Sequence, residues 1–215
     1  MVFTPGDSAL AIPGPVGDLQ AIVTCSETSA NDRQNVSIVC HPHSLMGGTM
    51  NNKVVHTVAR ARRDLGHVVV RFNFRGVEKS EGAYADGIGE QDDLLAVLAW
   101  VTRQMPEAKL HLAGFSFGAF VSAATCQRAI EQDFPIEDLL LVAPAVVNYP
   151  FDKLTQFSCP LTLIYGDADE VVDSDEIKSW YQQVSSTKQV HCLAGAGHFF
   201  HGRLVEVKKL LLNDQ

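Results

Sequence analysis

Short apolar runs recur through the chain with helical patterns between them, and this limits the fold more than any other feature. The runs are Val36–Cys40, Val68–Phe74, Leu110–Phe115, Leu139–Ala143 and Leu161–Tyr165. They are largely continuous rather than alternating, the pattern of strands buried on both faces. Gln189–Leu193 reads as a last strand. Asn52–Leu65, Gln91–Met105, Ser116–Glu131, Ser174–Val184 and Gly202–Leu212 read as helices, the first stopped by Gly66. Strand–helix alternation predicts an α/β fold: a mostly parallel sheet with helices on both faces. The stretch before Asp32 is poorer in helical pattern, and Leu19–Val23 suits one or two antiparallel strands at the sheet edge. No repeat, low-complexity tract or linker divides the chain, so residues 1–215 are expected to form a single domain.

Composition narrows the class of function. The hydrophobic fraction of 46% suits a sizeable core. Seventeen Lys and Arg against 25 Asp and Glu leave a net charge of −8, which argues against nucleic acid as a partner. No apolar run approaches the ~20 residues that cross a bilayer, so no membrane partner is expected. Met1–Ala11 carries no Lys or Arg and no long apolar run, unlike a secretory signal. The five cysteines are widely spaced and form neither a disulfide framework nor a C-x-x-C pair. Reduced thiols in the cytoplasm are the expectation.

Gly114-Phe115-Ser116-Phe117-Gly118 fits G-x-S-x-G between a strand and a helix. That context forces the serine into a strained turn with its hydroxyl exposed at the sheet edge. The Phe117 N–H then points at the same spot, at the positive end of a helix. A serine that merely caps the helix is the plainer alternative. A serine nucleophile needs a base. Of eight histidines, His198 lies in a Gly-rich loop just after the last strand, which places it over the carboxyl edge of the sheet; His201 competes. The base needs an orienting carboxylate. Asp167 and Asp169 both follow Leu161–Tyr165. Asp167, next to the strand, suits turn bonding to backbone N–H groups, and Asp169 is better placed to reach the histidine. The chain order Ser116, Asp169, His198 is that of one hydrolase class.

On these residues the sequence resembles the α/β-hydrolase superfamily. It is most similar to a small capless bacterial group, of esterase or dienelactone-hydrolase kind, with the signature His-Pro-His-x-Leu-x-Gly-Gly-x-Met. That string stands as His41 to Met50, with Ser44 where group members often have Pro. Phe72-Asn73-Phe74-Arg75-Gly76-Val77 followed by Ser80-Glu81-Gly82 matches the superfamily's loop after its next strand, with Glu78 in place of a Gly. The resemblance covers about residues 20–212. It implies a cofactor-free serine hydrolase with a Ser116–Asp169–His198 triad.

The His41–Met50 segment leaves a strand and must supply the second oxyanion donor. Gly47-Gly48 lets backbone approach the reacting carbonyl. The Leu45 N–H is the expected donor, with His43 or Ser44 next to it. His41 and His43 form an H-x-H pair, but no third ligand accompanies them and no metal is expected. Only Pro144–Cys159 separates two strands where lidded relatives insert a cap, too short for a domain-sized lid. The site should be an open cleft, its candidate walls Leu45, Met46, Phe74, Phe117, Tyr149, Phe151, Phe199 and Phe200, with His43, Met46 and Phe199 as candidate substrate contacts. The expected function is a carboxylesterase on small to medium uncharged acyl esters, working as a monomer or homodimer with a small-molecule ester substrate. Thioester, lactone or peptide hydrolysis on the same triad, or a non-catalytic binding role, are the alternatives.

Overall fold

Alternation within the apolar runs separates two cores. A computed structural model describes residues 4–32, 34–132 and 134–213. Its strands are β1 (Gly6–Gly14), β2 (Gly17–Cys25), β3 (Asn35–Cys40), β4 (Val68–Phe72), β5 (Lys109–Phe115), β6 (Ile136–Val142), β7 (Leu161–Gly166) and β8 (Lys188–Leu193). They form one sheet in the order β1-β2-β4-β3-β5-β6-β7-β8. The helices are α1 (Glu27–Asp32), α2 (Lys53–Asp64), α3 (Ile88–Gln104), α4 (Phe117–Ile130), α5 (Ser174–Gln183) and α6 (Leu204–Asn213).

In β3, Val36, Ile38 and Cys40 face the core under α3, α4 and α5, while Val39 faces the core under α2 and α6. In β6, Leu139 and Leu141 face the first layer and Leu140 and Val142 the second. Both faces are covered, which is why the runs show no polar alternation. A β1–β2 hairpin, in which Gly14 pairs with Gly17, adds the antiparallel edge. β2 pairs antiparallel with β4, and the sheet from β4 to β8 is parallel. In β2 only Leu19, Ala21, Val23 and Cys25 are buried, so this strand does alternate.

Local chemistry sets the helix ends. The Asn52 side chain accepts from the Val54 N–H at 2.8 Å and starts α2. Gly66, at φ +89°, turns the chain out of it. The bounds of α3 and β4 differ from the sequence expectation for reasons visible in their hydrogen bonds. α3 begins at Ile88 rather than Gln91, because the buried Glu90 carboxylate accepts the Gly87 N–H and caps the helix earlier. β4 ends at Phe72 rather than Phe74, because the Asn73 and Phe74 N–H groups bond Gln20 O and the His41 ring instead of a neighbouring parallel strand.

The connections place a crevice. β3 leads through α2 on one face to β4, whereas β5 leads through α4 on the other face to β6. Neighbouring β3 and β5 therefore send their chains in opposite directions, and the crevice opens at their carboxyl ends.

Candidate active site

The turn from β5 into α4 is tight for a steric reason. Ser116 sits at φ +56° and ψ −114°, a conformation that costs a side chain energy, and its N–H donates to Val142 O at 2.9 Å. A Cβ on Gly114 would stand 2.1 Å from Gly118 O, and one on Gly118 would stand 2.5 Å from both Cys40 O and His41 O. Only glycines let α4 lie this close to β3 and β5. The Ser116 hydroxyl is thereby held at the head of α4 rather than spent on capping it, and no side-chain cap bond forms.

His198 comes from the loop after β8 and is 2% exposed. Its Nε2 lies 2.9 Å from Ser116 Oγ, and its Nδ1 lies 2.8 Å from Asp169 Oδ2. The other Asp169 oxygen accepts the N–H groups of Val171 and Val172, each at 2.8 Å. Burial alone would raise the Asp169 carboxyl, but the His198 bond and the two backbone donors outweigh it and hold it below its ordinary value. The carboxylate is thus ionised and accepts the Nδ1–H, leaving Nε2 free to accept the serine proton. Glu170, which sequence reasoning missed, takes the His198 backbone N–H at 3.0 Å and braces the base. Gly197 makes that possible, because a Cβ there would meet the Glu170 carboxylate at 2.6 Å.

The two competitors stand elsewhere. Asp167 accepts the Gly195 N–H at 2.6 Å and pins the loop that carries His198. His201 is exposed and stacks on Phe199, with ring centroids 5.8 Å apart. His41 is fully buried and uses both ring nitrogens structurally: Nδ1–H donates to Pro42 O at 2.6 Å, and Nε2 accepts the Phe74 N–H at 3.0 Å. Neither nitrogen is left for a metal.

The loop after β3 corrects one expectation. The Leu45 N–H donates to His43 Nδ1 at 3.2 Å, and its side chain is 70% exposed. It is not a free donor to the crevice. The N–H groups of Met46 and Gly48 are also engaged, both by His43 O. Among the described residues no hydrogen bond occupies the His43 N–H, and His43 lines the crevice whereas Ser44 does not. Counting along the sequence missed this because the side chain of one loop residue caps the short 3-10 turn Ser44–Met46 that follows it.

Above Ser116 lies an open cleft of about 870 Å³. Pro42, His43, Met46, Phe117, Tyr149 and Phe199 line it, joined by Tyr84, Asp86 and Asn148 on the polar side. Phe74, Phe151 and Phe200, expected as walls, are instead fully packed core, and Leu45 lies outside the cleft. The segment between β6 and β7 carries no element larger than a single turn at Phe151–Lys153, so it supplies no cap over the opening.

The model of the alpha/beta hydrolase domain family matches residues 40–209, most of the chain, from the end of β3 into α6. The chain belongs to the alpha/beta hydrolase family. The hydrolase is 44% identical to an alpha-beta serine hydrolase homologue from Coxiella burnetii, with a TM-score of 0.89 over 99% of both chains. It is 39% identical to XC6422 from Xanthomonas campestris, a serine hydrolase without lid, with a TM-score of 0.89 over 99% of this chain and 95% of that one. The uncharacterised protein RP471 of Rickettsia prowazekii is 35% identical over 189 residues, 83% of the hydrolase and 77% of the relative. The capless architecture is shared with XC6422. No helix among the described residues is long and apolar enough to cross a membrane.

Proposed function

We propose that the hydrolase is a serine carboxylesterase acting on small to medium uncharged acyl esters. The observation that carries this reading is the unbroken hydrogen-bond chain from Asp169 through His198 to Ser116 at the floor of an open, largely apolar cleft. Ser116 Oγ attacks the ester carbonyl while His198 Nε2 takes its proton, and Asp169 stabilises the imidazolium that forms. The oxyanion is received by the Phe117 N–H, at the start of α4, and by the His43 N–H. His198 then gives the proton to the leaving alcohol. Water, activated by the same imidazole, hydrolyses the acyl-enzyme and regenerates Ser116.

Among the described residues no Lys or Arg lines the cleft and Asp86 does, which favours uncharged over anionic esters. His43, Met46 and Phe199 are the side chains placed to contact substrate. The test is labelling by a fluorophosphonate followed by a panel of ester, thioester, lactone and peptide substrates. Wild type should be labelled at Ser116 and hydrolyse carboxylic esters best. Ser116→Ala should stay folded, escape labelling and lose on the order of 10³-fold or more in kcat. Full activity in that variant would end the serine-hydrolase reading.

A further inference from the structure

The ring of His43 is held from both sides. Leu45 N–H, an obligate donor, points at Nδ1 across 3.2 Å, so Nδ1 carries the lone pair and the proton sits on Nε2. Nε2 lies 3.2 Å from the Tyr84 hydroxyl, which therefore accepts. The Tyr84 hydroxyl also interacts with that of Tyr149. The His43 ring also lies 5.0 Å from the Tyr84 ring and 5.2 Å from the Phe117 ring, centroid to centroid. Both residues assigned to the oxyanion are thus packed against one tyrosine or its partner.

Tyr84 is itself on rigid ground. The fully buried Glu90 of α3 accepts the N–H groups of Ala85 and Gly87, at 2.9 and 2.8 Å, immediately after it. At the other end of the segment Gly76 N–H bonds Glu81 O at 3.0 Å. A helix on one face of the sheet is in this way connected, through a phenol, to a loop leaving β3.

We infer that Tyr84 is a positioning residue: its hydroxyl locks the His43 ring, and the locked ring holds the His43 N–H at the place where the oxyanion forms. The inference rests on the hydrolase reading and on His43 as second donor. Removing the hydroxyl frees Nε2–H, the ring can leave Leu45, and the short 3-10 turn loses its cap. An oxyanion donor is worth about 10²–10³ in rate, and a displaced donor keeps part of that, so about tenfold is the expected loss.

The experiment is a double-mutant cycle on phosphonylation of Ser116 by a fluorophosphonate, whose phosphoryl oxygen occupies the same donors and which needs no known substrate. Tyr84→Phe should slow the reaction at saturating probe about tenfold, with less than a twofold change in the half-saturating concentration. In a His43→Ala background, which keeps the backbone N–H, the same substitution should slow it less than twofold. His43→Gln supplies a second ring-less background if the alanine variant unfolds. Equal slowing in both backgrounds, an effect confined to half-saturation, or no slowing at all would overturn the inference, because Tyr84 would then act on the ligand directly or on nothing. A wild-type protein unreactive at Ser116 overturns the hydrolase reading and this inference together, whereas a reactive wild type with an additive cycle overturns this inference alone.

Discussion

Asp169→Asn isolates what the carboxylate does, because the structure dictates how the amide must sit. Asp169 Oδ1 accepts two backbone N–H groups, from Val171 and Val172. In the variant the amide oxygen takes that place, since turning the amide would face its NH₂ against two donors and leave both without their acceptor. Each such loss costs roughly 1–3 kcal/mol. The NH₂ then points at His198 Nδ1, 2.8 Å away in the parent structure, and donates to it. The imidazole proton is forced onto Nε2, where it faces Ser116 Oγ and cannot accept the serine proton. Reaching the productive tautomer requires the turned amide, at about 2–6 kcal/mol for both bonds, or an imidazole that forgoes its partner. The predicted loss in kcat is on the order of 10²–10⁴-fold, with KM for a p-nitrophenyl ester nearly unchanged. The melting temperature should fall by only a few degrees, because the shape and both backbone bonds survive. Steady-state kinetics beside a thermal melt reads both quantities. A variant with wild-type kcat would refute the orientation argument and remove Asp169 from the mechanism.

Three further outcomes follow from other parts of the molecule. Gly118→Ala places a methyl 2.5 Å from two backbone carbonyls of β3 and its following residue, so it should destabilise by about 2–3 kcal/mol and lower the melting temperature by roughly 5–10 °C; a shift below 2 °C would mean that α4 can withdraw freely. Burial holds His41 down at about 4, and burial with the nearby charges of His111 and Arg62 holds His67 at about 3, so both are neutral when folded. The unfolded chain takes up their protons first, so their stability is complete above about pH 6.5 and is lost as pH falls toward the folded values, roughly 1–2 kcal/mol each by pH 5; equal urea midpoints at pH 7.5 and pH 5 would contradict this. The uncovered cleft should favour p-nitrophenyl esters of about two to eight acyl carbons and give no jump in rate above the solubility limit, since further methylenes, each worth ~0.8 kcal/mol when buried, remain in water; a preference for palmitate would require a tunnel that the cleft lining does not contain.

The strands that carry the site were legible in the sequence because burial on both faces leaves an unmistakable record: an apolar residue at nearly every position of Leu139–Val142 or Val68–Val70. Ser116 was legible for a similar reason, since the two flanking glycines report a close approach of backbone that no other residue permits. His198 and Asp169 follow from chain order once those strands are placed, and the structure brings both within hydrogen-bond distance of their partners in that order. In each case the determining physics is local or one-dimensional, and it repeats in the pattern of residues.

What the sequence could not disclose depends on which groups have already found partners. Leu45 had the right place in the chain to donate to an oxyanion, yet its N–H is taken by the His43 ring, a bond set by how a short turn closes after β3. Phe74, Phe151 and Phe200 are as apolar as Phe199, but only packing decides that the first three fill the core while Phe199 edges the cleft. Tyr84 and Glu170 carried no motif at all. They matter because tertiary structure sets Tyr84 beside a histidine 41 residues away and Glu170 beside the backbone of His198, 28 residues on. Hydrogen-bond partnership across such separations is decided by the folded geometry of loops, whose side chains obey no period that a sequence could display.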